Sequence, residues 1–237
     1  MNNSEKKEIK RKKRLPGIYK DKYSIKKDEN NILIMHACKL LEAYYNEEGI
    51  KALILDGKKL RSTKTLLNLG DKLKQLTIVE YNQETYFKII NKIKNYHNIK
   101  CFKLHINDYI LKNNSFNINV VYFDVMLNFF SSNSSLGSDF VINEFLSRNQ
   151  ANELILAATF CLRSYESMNY DSEERNILVN LNLIFNSKNF EQKQLLPNES
   201  MRYKGQTGSN KALMFVLFYL KKRNGNKMLN EQYSQEN

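Results

Sequence analysis

The sequence predicts an α/β domain in which a mostly parallel sheet carries helices on both faces and ends in an antiparallel hairpin. Three observations predict it. Apolar runs of strand length alternate with segments of helical period through five successive units. One run, Val120–Phe123, is apolar at every position, as a central parallel strand covered on both faces is. The last two strand-like segments are joined by a polar loop with no room for a crossover helix, which demands antiparallel pairing.

Each element follows from a local pattern. Leu33, Ala37, Leu40, Leu41 and Tyr44 recur at helical spacing, and Gly49 reads as a C-terminal cap. Ala52–Leu55 is a short buried strand before the turn Asp56-Gly57-Lys58-Lys59. Ser62 or Thr63 then caps a helix holding Leu66, Leu67 and Leu69, with Gly70 past its end. Leu76–Val79 is the second strand, and Gln83–Asn95 a helix with Tyr86, Ile89, Ile90 and Ile93 on one face. In the third strand, Cys101–Ile106, Phe102, Leu104 and Ile106 alternate. Val120–Phe123 is the fourth; a Ser-rich loop leads to a helix with Val141, Phe145 and Leu146, and Leu154–Thr159 is the fifth. Asp171 and Glu174 form a capping box for a helix with Ile177, Leu178, Leu181, Ile184 and Phe185 inward. Gln192–Leu196 and Leu213–Leu220 make the closing hairpin around a polar loop from Pro197 to Asn210.

Hydrophobic residues are 42% of the chain, enough for a core that needs neither disulfides nor metal. Cys38, Cys101 and Cys161 lie far apart, as reduced intracellular thiols of cytosol or nucleus do, and with His36, His97 and His105 they give no metal-ligand spacing. The longest apolar run, Ala212 to Leu220, is too short to cross a bilayer, and Met1 to Arg14 lacks the apolar stretch of a secretory signal. These features predict a soluble protein with no membrane and no metal.

The net charge of +12 is unevenly spread. Residues 1–27 hold eleven Lys/Arg against three acids, while the segment 28–220 is close to neutral. Residues 1–28 therefore read as a basic unfolded tail, 29–223 as the domain, and 224–237 as a polar C-terminal tail. The run Lys10-Arg11-Lys12-Lys13-Arg14 suits phosphates of RNA or DNA, or a nuclear address; the alternative is a solubilising tail.

Polar residues follow four strands in turn: Asp56 in Leu55-Asp56-Gly57-Lys58, Glu80 in Val79-Glu80-Tyr81-Asn82, Asp108 in Ile106-Asn107-Asp108-Tyr109, and Asp124 in Phe123-Asp124-Val125-Met126. In open α/β sheets the ligand crevice lies beyond the carboxyl ends of the strands. Together with the element order, these segments resemble the class I (Rossmann-like) S-adenosylmethionine-dependent methyltransferases over roughly Ile32 to Arg223. The resemblance implies a seven-stranded sheet with the last strand inserted antiparallel, and S-adenosylmethionine as cofactor. It implies that Asp56, Gly57 and Lys58 border the cofactor's methionine part, with Gly57 permitting the tight turn. Glu80, 24 residues beyond Asp56, would accept the ribose hydroxyls, and Tyr81 would pack on the adenine. Asp108, with Asn107 next, would bond the adenine amine. Asp124 is the candidate catalytic residue, facing the reacting methyl or the cofactor; Asn128, Phe129 and Phe130 would shape the substrate pocket, the alternative for such an aromatic pair being the core. In the polar loop, Arg202, Tyr203 and Lys204 are suited to meet a phosphate and stack a base; a solvated hairpin tip is the alternative.

Two departures qualify the likeness. The loop after Asp56 lacks the further glycines of the family's Gly-x-Gly pattern, and no Pro-Pro follows Asp124, so amino-group methylation of adenine is not supported. The stretch from Gly57 to Thr65 also approaches a phosphate-binding loop, but Thr63 rather than glycine precedes Lys64 and the spacing is one residue too long. Two functions stand: a methyltransferase acting on a nucleic acid, or a catalytically inactive methyltransferase-like scaffold or nucleic-acid-binding protein that keeps the fold.

Overall fold

The computed structural model describes residues 24–124, 129, 137–162, 170–196, 202–204 and 212–223. Among the described residues, six α-helices and eight strands occur in the order α1 (Ser24–Ala37), β1 (Ile50–Ile54), α2 (Arg61–Leu67), β2 (Leu73–Val79), α3 (Gln83–Ile93), β3 (Ile99–Phe102), α4 (Ile106–Lys112), β4 (Val120–Phe123), α5 (Ser138–Arg148), β5 (Glu153–Cys161), α6 (Tyr170–Ser187), β6 (Phe190–Gln194), β7 (Arg202–Lys204) and β8 (Ala212–Lys222). Seven strands pair in the order β3-β2-β1-β4-β5-β8-β6, and β7 also pairs with β8. The first five are parallel. The strand β8 lies antiparallel between β5 and β6, which is the Rossmann-like arrangement with its inserted last strand.

Alternating side chains of each central strand feed two separate cores. On one face Leu53, Val121, Phe123, Leu156 and Val216 meet Ile110, Phe145 and Leu181 of α4, α5 and α6. On the other Ala52, Ile54, Tyr122, Ile155 and Phe215 meet Ile34, Leu66 and Ile89 of α1, α2 and α3. Three helices thus cover each face, as a parallel sheet requires.

Several local expectations shift. The first helix begins at Ser24, inside the stretch read as a tail, and ends at Ala37. Leu41 is extended (ψ 135°) between two short 3-10 turns, Cys38–Leu40 and Glu42–Tyr44. The core-facing stripe is Ile34, Ala37, Cys38 and Leu41, while Leu33 and Leu40 are exposed. Gly49, at φ +61°, passes so near β2 that a Cβ would come 2.7 Å from the Lys72 carbonyl; it admits the chain to β1 and caps no helix. The third strand ends at Phe102, because three residues later the His105 imidazole accepts the Asn107 N–H and caps α4. Asp171 lies in the first turn of α6, where a carboxylate complements the helix dipole.

The expected polar loop holds a strand. Arg202, Tyr203 and Lys204 form β7, paired with Met214, Leu213 and Ala212. Gln194 pairs with Phe218 and Arg202 with Met214, so seven residues separate the two registers on one strand against three on β8. The segments β6 and β7 therefore run along the same side of β8, with a local excess of chain between them.

Candidate functional site

The sheet order reverses between β1 and β4: β1 is followed outward by β2 and β3, and β4 by β5. A crevice opens at such a switch point, at the carboxyl ends of the strands. Asp56 follows β1, Asp124 follows β4, and Glu80 follows the adjacent β2, so the fold brings these three acids to one end of three neighbouring strands.

Asp56 is 6% exposed and turns inward. One carboxylate oxygen accepts the Gly57 N–H at 2.9 Å; the other accepts the Thr63 N–H at 2.8 Å and the Thr63 hydroxyl at 2.9 Å. It thereby caps α2 from seven residues upstream, the role expected of Ser62 or Thr63 themselves. The turn between them closes when the Leu60 N–H donates to the Gly57 carbonyl at 2.8 Å. Its left-handed residue is Leu60 (φ 54°), with the side chain buried. Gly57 is exposed, and a Cβ there would meet nothing within 4 Å, so the turn does not depend on that glycine. Burial raises the Asp56 carboxyl above its ordinary value, against the bonds from Thr63 and Gly57 and the positive charge of Lys27.

Glu80 is half-buried and accepts the Asn82 N–H at 2.6 Å. Burial is the main reason its carboxyl lies above the ordinary value; bonds from Asn82 and Tyr81 oppose this, and the Asp56 charge adds to it. Tyr81 is 54% exposed, with its ring 5.9 Å from that of His105. Asn107 and Asp108 occupy the first turn of α4, Asn107 buried and Asp108 exposed. Lys58 is exposed, and its carbonyl accepts a hydrogen bond from Lys92 Nζ at 2.6 Å.

Asp124 forms an ion pair with Lys27 of α1, and the next residue, Asp28, pairs with Arg61 of α2 at 2.7 Å. The start of α1 is thus tied across the crevice. Sequence reasoning placed Lys27 in the tail and gave no role to His105. No sequence signal marked Lys27, whose partner Asp124 is distant in the chain; for His105 the signal was its place two residues before Asn107.

Other candidates are not brought to this place. Phe129 is a core residue, edge-on to Phe160 at 5.1 Å. Arg202, Tyr203 and Lys204 lie on β7. Lys10, Arg11, Lys12, Lys13, Arg14, Asn128 and Phe130 fall outside the described residues. Burial pushes the Cys38 thiol up to about 12, and burial together with the Glu80 and Asp56 charges does the same for Cys101, so neither is a thiolate nucleophile near neutral pH. Among the described residues no three His, Cys, Asp or Glu side chains gather as metal ligands, and no helix is long and apolar enough to cross a membrane.

No family model matches the chain, and no curated protein is similar to it in sequence. Solved structures are similar in fold. A candidate RNA methyltransferase from Pyrococcus horikoshii superposes with a TM-score of 0.52 at 11% identity, over 96% of this chain and 100% of that one. The YcgJ protein of Bacillus subtilis gives 0.52 at 10% identity, over 83% and 100%. The CurJ carbon methyltransferase gives 0.51 at 14% identity, over 82% of this chain and 54% of that one. At such identities the likeness concerns the fold, which is the one class I methyltransferases share.

Proposed function

We propose that this protein is an S-adenosylmethionine-dependent methyltransferase that acts on a nucleic acid. The observation that carries the reading is the meeting of Asp56, Glu80 and Asp124 at the switch point of this fold. Glu80, ahead of the exposed Tyr81, is suited to accept the two ribose hydroxyls, with Tyr81 and His105 offering ring faces to the adenine. Asn107 and Asp108 are the candidates for the adenine amine, and Asp124, paired with Lys27, belongs to the same crevice. Asp56, Gly57 and Lys58 border the methionine part, Asp56 by holding the loop in shape. When bound, the cofactor supplies an electrophilic methyl on a sulfonium sulfur. The protein's task is then chiefly to hold the acceptor in line with that methyl.

A nucleic acid is favoured by charge. Lys58, Lys59, Lys88 and Lys92 line a hollow with Asn91 beside the β1–α2 loop, and the run Lys10–Arg14 adds five cations in the sequence. Ammonium groups in such number attract phosphates, with an affinity that falls steeply with salt.

The test is calorimetric titration with S-adenosylhomocysteine. Micromolar binding, about 8 kcal/mol, is expected, falling at least tenfold in Glu80→Ala. A folded wild-type protein that binds no cofactor would instead support the second reading, a catalytically inactive scaffold or nucleic-acid-binding protein. That reading is favoured by the sparse glycines of the first loop and the inward turn of Asp56.

A further inference from the structure

The face that α1 turns to the crevice is polar at its start. Lys27, Asn30, Asn31 and Ile34 recur at spacings of three and four and so share one side of the helix. Ile34 enters the core, whereas Lys27 pairs with Asp124 and its charge also acts on Asp56. Asn30 and Asn31 are 1% and 2% exposed, yet Asn30 Nδ2 and both amide atoms of Asn31 have no hydrogen-bond partner. Ser62, 2% exposed in the first turn of α2, which packs on α1, has an unpartnered hydroxyl as well. Buried polar atoms are rarely left unsatisfied, and a group of them beside two carboxylates and an ammonium points to a polar guest.

The rest of this inference depends on the methyltransferase reading. The amino-acid end of S-adenosylmethionine is a zwitterion, so its site needs an anion, a cation and neutral hydrogen-bonding groups. A glycine-rich loop is not available to approach it: Gly57 is the single glycine between β1 and α2, and Asp56 is already engaged by Gly57 and Thr63. The missing elements are present on the helices instead. We propose that the N-terminal half of α1 binds the amino-acid end of the cofactor, Lys27 passing from Asp124 to the ligand's carboxylate while Asp124 takes its ammonium. Asn30, Asn31 and Ser62 supply the neutral hydrogen bonds. One ion pair within the protein is exchanged for two between protein and ligand, and α1 closes the crevice in both states.

The experiment compares two ligands by calorimetry on the full chain. S-adenosylhomocysteine carries the amino-acid end; 5′-methylthioadenosine has the same adenosine and thioether without it. Wild-type protein is expected to prefer the first at least tenfold, a comparison that needs no variant. Lys27→Met and Asn31→Ala should each weaken S-adenosylhomocysteine about tenfold and leave methylthioadenosine within twofold. Lys27→Arg, which keeps the cation, should retain most of the affinity, and Glu80→Ala should weaken both ligands. Equal affinity of wild type for the two ligands overturns this proposal alone. So does a Lys27→Met protein that binds S-adenosylhomocysteine as well as wild type or better, since Lys27 would then be only a plug. Binding of neither ligand by folded wild type overturns the methyltransferase reading, and this proposal with it.

Discussion

Asp56 accepts two backbone N–H groups and one hydroxyl in a nearly dry setting, so its partners depend on it as much as it depends on them. Thr63→Val removes only the hydroxyl and is expected to cost about 1 kcal/mol in urea unfolding. Asp56→Asn keeps the shape but offers an amide N–H where an acceptor is needed, and should cost about 2 kcal/mol. The pH dependence has a definite sign. Because burial raises the native carboxyl, the folded protein holds a proton that the unfolded chain releases just above the ordinary value of 3.8. The group's contribution to stability is therefore full below that value and declines as pH rises through the native one. Urea midpoints measured in steps over this range should show the decline in wild type and not in Asp56→Asn. The positions of Asp56, Glu80 and Asp124 were legible because each acid directly follows an apolar run. The inward turn of Asp56 was not, since it depends on Leu60 adopting a left-handed backbone that costs a β-carbon-bearing residue about 1 kcal/mol. Nothing in the sequence marks Leu60 for this, and only its burial in the folded protein accounts for it.

Elements are fastened together at the opposite end of the sheet by Glu153, the first residue of β5. It accepts the Glu42 N–H at 2.8 Å, the Tyr219 hydroxyl at 2.7 Å and Lys221 Nζ at 3.0 Å, joining the turn after α1 to β5 and β8. Burial would raise its carboxyl, but these three bonds outweigh burial and hold it below the ordinary value. Its contribution is thus present above the ordinary value of 4.5 and disappears as pH falls through the lower native value. Glu153→Gln should lose about 2 kcal/mol at neutral pH and much less near pH 3, as read by chemical denaturation. Element types were largely legible, and β4 fell where its apolar run does. Ends were less so. Phe102, Leu104 and Ile106 mimic a strand's alternation, and only the capping bond from His105 shows that the chain has already turned. The start of α1 was hidden because Lys26, Lys27 and Asp28 read as charge, whereas two of them are held by partners distant in sequence.

At the scale of the molecule, the strand order and the inserted antiparallel strand came from family likeness, because spacing alone does not say which strands become neighbours. The division into arm and domain belongs to this scale too. We propose that residues 1–23 serve nucleic-acid binding and not folding. Deleting them should leave the thermal midpoint unchanged, weaken RNA binding, and flatten the fall of log affinity with log salt. An RNA affinity unaltered by the deletion would remove the arm from the interface and leave the lysines around Lys58 and Lys92 as its cationic part.

The seat of β8 between β5 and β6 has a consequence for biosynthesis. The ribosome completes β5 at Cys161 and reaches Ala212 only about fifty residues later, roughly 3–10 s at ordinary translation rates. Throughout that interval the nascent chain carries β5, nine residues long and almost wholly apolar, with one row of its backbone groups unmatched. Such an edge invites pairing with another polypeptide. A messenger truncated before codon 212 should therefore yield insoluble product and not a half-folded soluble sheet, leaving the emerging protein dependent on a chaperone until its last strand arrives.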